Sequence, residues 1–127
     1  MSARGPGAGD PGARGPGARD PGAADLAARL REYAVALPEA SEAPSRFGGA
    51  LAFQRVTGGR AREFAHLHGD DELDLRLPPA AQRALREDPD ARPRASRSPW
   101  IAYALTAASL ERACELLRQA YEAAGPG

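Results

Sequence analysis

The chain has no lysine. All 17 of its basic residues are arginine, and 17 acidic residues balance them to a formal net charge of zero. That balance excludes a general electrostatic pull toward nucleic acid or an acidic membrane surface. Cysteine is almost absent too. Cys114 stands alone, so no intrachain disulfide can form, and a reducing compartment is expected. No stretch approaches the roughly 20 apolar residues that cross a bilayer, and the N-terminus lacks the apolar core of a secretory signal. These absences lead us to expect a soluble, cytoplasmic protein with no nucleic-acid or membrane partner.

The first two dozen residues lack large apolar side chains beyond Met1. Ala3 to Gly12 reads ARGPGAGDPG, and Ala13 to Gly22 repeats it with a single change, Gly9 to Arg19. Glycine does not recur every third residue, so the repeat is not collagen-like. With nothing to bury against the entropy of ordering, residues 1–22 are expected to be a disordered tail. Residues 23–125 are then expected to form one small domain.

Within that domain, Leu26, Leu30, Tyr33 and Leu37 recur at helical spacing, and Pro38 ends the segment. Glu39 to Gly49 reads as a loop. Ala50–Val56, Arg60–His68 and Glu72–Leu77 read as strands, joined by Thr57-Gly58-Gly59 and Gly69-Asp70-Asp71. Links this short require antiparallel pairing. Pro78-Pro79 opens a short helix, Asp88 to Ser98 reads as a loop, Pro99–Leu105 as a fourth strand, and Leu110 to Ala124 as a closing helix. The expectation is an α+β domain, order α-β-β-β-α-β-α, with a four-stranded, mainly antiparallel sheet and helices on one face.

The only two histidines, His66 and His68, lie one residue apart on a predicted strand and so share a face. Leu73, Leu75 and Leu77 share the core face of the next strand, which leaves Asp74 and Arg76 pointing the other way. If Leu67 joins the leucines, one sheet face gathers Phe64, His66, His68, Asp74, Arg76 and Trp100. His66 or His68 is a candidate general base, Asp74 its orienting carboxylate, and Arg76 a partner for Asp74 or for a ligand oxyanion. Phe64, Trp100 and the loop residue Arg46 are candidate ligand contacts. A weak metal site using Asp74 or Asp70 as third ligand is an alternative. However, no further histidine follows, and the cupin-like spacing His66-x-His68-x-x-x-Glu72 lacks its second motif. We therefore assign no metal ligand and no cofactor. A third reading is a non-catalytic interaction domain with a structural histidine pair. Cys114, on an apolar helical stripe, reads as a core filler.

Five stretches together resemble the luciferase-like domain family. They are Ala43-Pro44-Ser45-Arg46-Phe47-Gly48, Arg62-Glu63-Phe64-Ala65-His66-Leu67-His68, the leucine strand, Ser98-Pro99-Trp100 and the Leu110 to Tyr121 helix. That family comprises small bacterial proteins of mostly unassigned role, and fungal luciferases that oxidise a hydroxylated pyrone with O2. The resemblance spans about Leu37 to Ala124. Glu63, His66, His68 and Trp100 fit the pattern shared with the fungal enzymes. Asp74 and Arg76 depart from it: the fungal pattern has a histidine and a small residue there, after a longer turn. The resemblance implies a shared fold and a small-molecule pocket, with a cofactor-independent oxygenase as the reaction class, but not the light-emitting reaction itself.

Overall fold

The computed structural model of the protein describes residues 22–45, 50–94 and 98–125. The expected disordered tail, apart from Gly22, and the candidate contact Arg46 lie outside these residues. Helix α1 runs Ala23–Val35, strand β1 Ala40–Pro44, β2 Leu51–Thr57, β3 Arg60–His68 and β4 Glu72–Arg76. Helix α2 follows at Pro79–Ala84, then β5 Ala91–Pro93, β6 Trp100–Ala104 and α3 Leu110–Ala123.

The α+β class stands, but the sheet has six strands instead of four, and the element order is α-β-β-β-β-α-β-β-α. Its strands lie side by side as β1-β2-β3-β4-β6-β5, all antiparallel. The two additional strands are the two edges, and both were expected to be loops. Their composition explains why. β1 (Ala-Ser-Glu-Ala-Pro) has no β-branched or aromatic residue, and β5 (Ala-Arg-Pro) has three residues, one of them proline. Proline lacks a ladder donor, which an edge tolerates and a central strand does not. Here the edge backbone is held by its neighbours: Val56 N–H donates to Glu39 O, and Ala104 N–H donates to Asp90 O.

The four inner strands sort their side chains by alternation. Leu67 pairs with Leu73 and Ala65 with Leu75. Leu73 and Leu75 continue to Tyr103 and Ile101. Directly opposed residues share a face, so these make one apolar surface. Leu26 and Leu30 of α1 and Leu116 and Leu117 of α3 complete that core, each at most 4% exposed. Truncating one such leucine to alanine costs about 2–5 kcal/mol, a large share of the stability of a domain this size.

Alternation breaks at one point. Phe53 pairs with Ala65, but Gln54 pairs with Glu63, so Phe64 is an extra residue in β3. A bulge of this kind reverses side-chain parity beyond it. Phe64 therefore turns into the core, where it is fully buried and meets the Tyr121 ring edge-on, 5.7 Å between centroids. Glu63 turns the other way, onto the face that carries His66. Placement of Phe64 beside the histidines, expected from unbroken alternation, is thereby corrected.

Tyr103 adds a titratable group to the core. Its hydroxyl donates to Asp88 Oδ2 at 3.0 Å. Burial, followed by the nearby charge and hydrogen bond of Asp88, pushes its phenol up to about 12, against an ordinary value of about 10. The folded protein thus holds this proton more tightly than the unfolded chain does. The resulting stabilisation is complete below pH ~10 and is lost as pH rises through about 12. Chemical denaturation across this range should show stability declining in the native protein and a flatter alkaline limb in Tyr103→Phe.

Candidate functional site

The sheet face turned away from the helices is polar, and its centre is buried nonetheless. His66 opposes Asp74, and His68 opposes Glu72, in the β3–β4 pairing. Arg76 opposes Trp100, and Asp74 opposes Ala102, in the β4–β6 pairing. His66 is 3% exposed and Asp74 4%. The Trp100 ring lies 4.8 Å from that of His66, tilted by 46°, and the His68 ring meets His66 edge-on at the same distance. His66, His68, Asp74 and Trp100 are thus brought together as expected.

Asp74 is the hub. Its Oδ2 lies 2.8 Å from His66 Nε2 and 2.7 Å from His68 Nε2. Its Oδ1 accepts from Arg94 Nε at 3.0 Å and Nη2 at 2.6 Å. Four donors around one carboxylate match its acceptor capacity, and a buried carboxylate is tolerated on those terms. Burial pushes the Asp74 carboxyl up, but the hydrogen bonds from His66 and Arg94 and the Arg94 charge outweigh it. The carboxyl is held below its ordinary value. Hydrogen bonding to Asp74 in turn raises the Arg94 guanidinium. Arg94 also reaches Glu72, which pairs with Arg92 as well.

Glu63 completes the chain on the other side. Its Oε2 lies 2.9 Å from His66 Nδ1 and accepts from Ser45 Oγ at 3.2 Å. His66 therefore has a carboxylate oxygen at each ring nitrogen. Carboxylates accept and do not donate when ionised, so both ring nitrogens of His66 face acceptors. Glu63, His66 and Asp74 thus form one hydrogen-bonded chain, with His68 as its outer end, its side chain 38% exposed.

Two members of this group were not singled out as site residues. Glu63 was assigned to the opposite face, because the bulge is invisible to simple alternation; its place in the Glu-x-Ala-His-x-His pattern was the signal available. Arg94 lies 20 residues beyond Asp74 in a segment read as a loop, and nothing in its spacing marks it. Conversely, Arg76, expected as a partner for Asp74, is exposed and makes no ion pair among the described residues.

His66, His68 and Asp74 each place a ligand atom within 4.8 Å of the others, a two-histidine, one-carboxylate set suited to a first-row metal. All three already satisfy one another by hydrogen bonds, and Arg94 occupies the second Asp74 oxygen.

Beside this chain lies a cavity of about 750 Å³, at the end of the sheet where β4 leaves and β6 enters. Phe64, Leu77, Leu85, Ile101, Ala120 and Ala123 give it apolar walls, and Glu63 and Arg76 line it as well. Glu63 therefore touches both the cavity and the buried chain. Its Oε1 makes no hydrogen bond among the described residues.

Residues 61–120 match the family model for the luciferase domain. The expected resemblance is thus borne out over the segment that contains Glu63, His66, His68, Asp74, Arg94 and Trp100. No curated protein matches the chain. Among solved structures, the crystal structure of the Deinococcus radiodurans protein DR2400, with domain DUF419, is similar, with a TM-score of 0.58. The two are 22% identical over 72% of each chain, a likeness of fold alone. Among the described residues, no helix is long and apolar enough to cross a membrane.

Because the folded Asp74 carboxyl titrates below its ordinary range, its contribution to stability is present above roughly pH 4 and is lost as pH falls through the lower folded value. Asp74→Asn should flatten this acid limb in pH-dependent unfolding. At neutral pH it should cost on the order of 2 kcal/mol, since it weakens the buried hydrogen bonds that His66, His68 and Arg94 make to this carboxylate.

Proposed function

We propose that this chain, which carries a luciferase-family segment at residues 61–120, binds a small organic molecule and takes a proton from it, acting as a cofactor-independent oxygenase on an enol or phenol. The observation that carries this reading is Glu63. It is the residue that both lines the cavity and joins the buried histidine–aspartate chain. His66 itself is too buried to meet a substrate directly.

In this reading Glu63 is the base, and His66 behind it is the proton's next station. Asp74 holds the imidazole in place, as a carboxylate orients a catalytic histidine elsewhere. Arg76 on the cavity wall stabilises the oxygen that becomes negative. Loss of the proton leaves an enolate. Its electron pair forms a carbon–oxygen bond with O2, and the resulting peroxide anion recovers the proton from the chain. No atom or electron is left over, and O2 is the co-substrate. Phe64 contributes apolar wall, reached from the core side. Trp100 packs on His66 and fixes its ring plane. A docking surface is the weaker reading, because it needs an open, solvated face, while His66 and Asp74 are 3% and 4% exposed.

Binding of a panel of hydroxypyrones and phenols, followed by the fluorescence of the single tryptophan, together with O2 uptake, tests this. The native protein should bind at least one member and consume O2 with it. Glu63→Gln and His66→Gln should still bind but lose about 100-fold or more in uptake. Absence of binding across the panel, or undiminished uptake in Glu63→Gln, would overturn the proposal.

A further inference from the structure

The arginines of this protein divide in an uneven way. Arg31, Arg55, Arg92, Arg94, Arg112 and Arg118 each pair with a carboxylate. Among the described residues Arg29, Arg60, Arg62, Arg76, Arg83 and Arg86 do not. The last four of these line the one cavity described above. They come from β3, from the end of β4 and from the α2 region, so sequence proximity does not explain their convergence. Glu63 is the single acidic residue among the described lining residues, and its Oε2 is already committed to His66 and Ser45.

Concentrating unpaired like charges is unfavourable by itself, since each guanidinium raises the energy of the others. The protein has acidic residues enough to neutralise them, as the six paired arginines demonstrate. Below this cationic rim the walls are apolar: Phe64, Leu77, Leu85, Ile101, Ala120 and Ala123. A volume of about 750 Å³ lies in the range of small-molecule sites. Guanidinium groups are planar forks that hold carboxylate or phosphate oxygens two at a time.

We infer that the cavity recognises an organic anion with an apolar body, its acidic head held by Arg76 and Arg83 with Arg62 and Arg86 nearby, and its hydrocarbon portion against Phe64, Leu85 and Ile101. This rests on the cavity being the binding site of the proposed function, and names the class of molecule bound there. It does not depend on proton transfer at Glu63.

The test uses the full chain and pairs of probes that differ in charge alone: cinnamate and octanoate, each against its primary amide, with phenyl phosphate as the phosphate counterpart. At low ionic strength the acids should bind about 10-fold or more tighter than the amides. That ratio should fall as salt rises from roughly 0.05 to 0.5 M. The double variant Arg76→Gln/Arg83→Gln should bring acid and amide within about 2-fold of each other while leaving amide binding intact. Arg29→Gln/Arg60→Gln, which removes unpaired arginines outside the cavity, should change nothing. All four side chains are exposed, so the variants are expected to fold, and thermal melts check that they do. Phenyl phosphate binding ahead of both carboxylates assigns a phosphate head; the reverse order assigns a carboxylate. Amides binding as tightly as acids would overturn the anion inference while sparing the proposed function. An acid preference that survives in Arg76→Gln/Arg83→Gln would place the anion elsewhere and also overturn it. No binding by any of these probes overturns the anion inference, and no binding by the hydroxypyrones and phenols as well sinks both. Retained anion selectivity with no O2 uptake on the hydroxypyrone and phenol panel sinks the oxygenase reading alone.

Discussion

One unpaired residue in β3 decides what the two faces of the sheet carry. Strand alternation is rigid: each residue toward the core obliges its neighbour to face away. With an unbroken register, Glu63 would lie under the helices and Phe64 would stand beside His66. The bulge at Phe64 exchanges them. It delivers an aromatic ring to Tyr121 and the core, and a carboxylate to the Nδ1 of His66. Core packing and site chemistry thus rest on the same local irregularity, which is why such insertions are features of a fold and not defects in it.

The buried polar cluster illustrates how a protein of zero net charge can concentrate charge without penalty. Asp74 is desolvated, which alone would favour its neutral form. Its four donors reverse that preference. Arg94 is supplied from just beyond β5, so the edge strand has a second role beyond closing the sheet: it brings the counter-charge for a residue two strands away. The cluster is consequently distributed across β3, β4 and the β5–β6 connection. Breaking any of these elements loosens all of it.

Much of this was legible from the residues in order. β3 was expected at Arg60–His68, and it lies there. Leucine alternation in β4 correctly placed Asp74 on the histidine face, because a strand with one apolar side has only one acceptable orientation. β1 and β5 were hidden because edge strands are held by backbone pairing with a neighbour, not by side-chain pattern. The Glu63 and Arg94 contacts were hidden for different reasons. The first depends on a bulge, whose position is set by packing of Phe53 and Phe64 under the helices. The second depends on a chain reversal that brings residues 20 apart into one ion pair. Neither leaves a periodic trace.

The two strands that escaped detection also govern how the molecule can meet others of its kind. β1 ends in Pro44, and β5 is three residues long and ends in Pro93, with Arg92 and Arg94 beside it. Short, proline-terminated borders with charge close by offer an incoming strand few free amides to grasp. The sheet therefore does not invite continuation from one molecule to the next, even though its central strands are rich in leucine. Features that weakened the strand signal in the sequence are the ones that guard the folded protein against fibrillar growth.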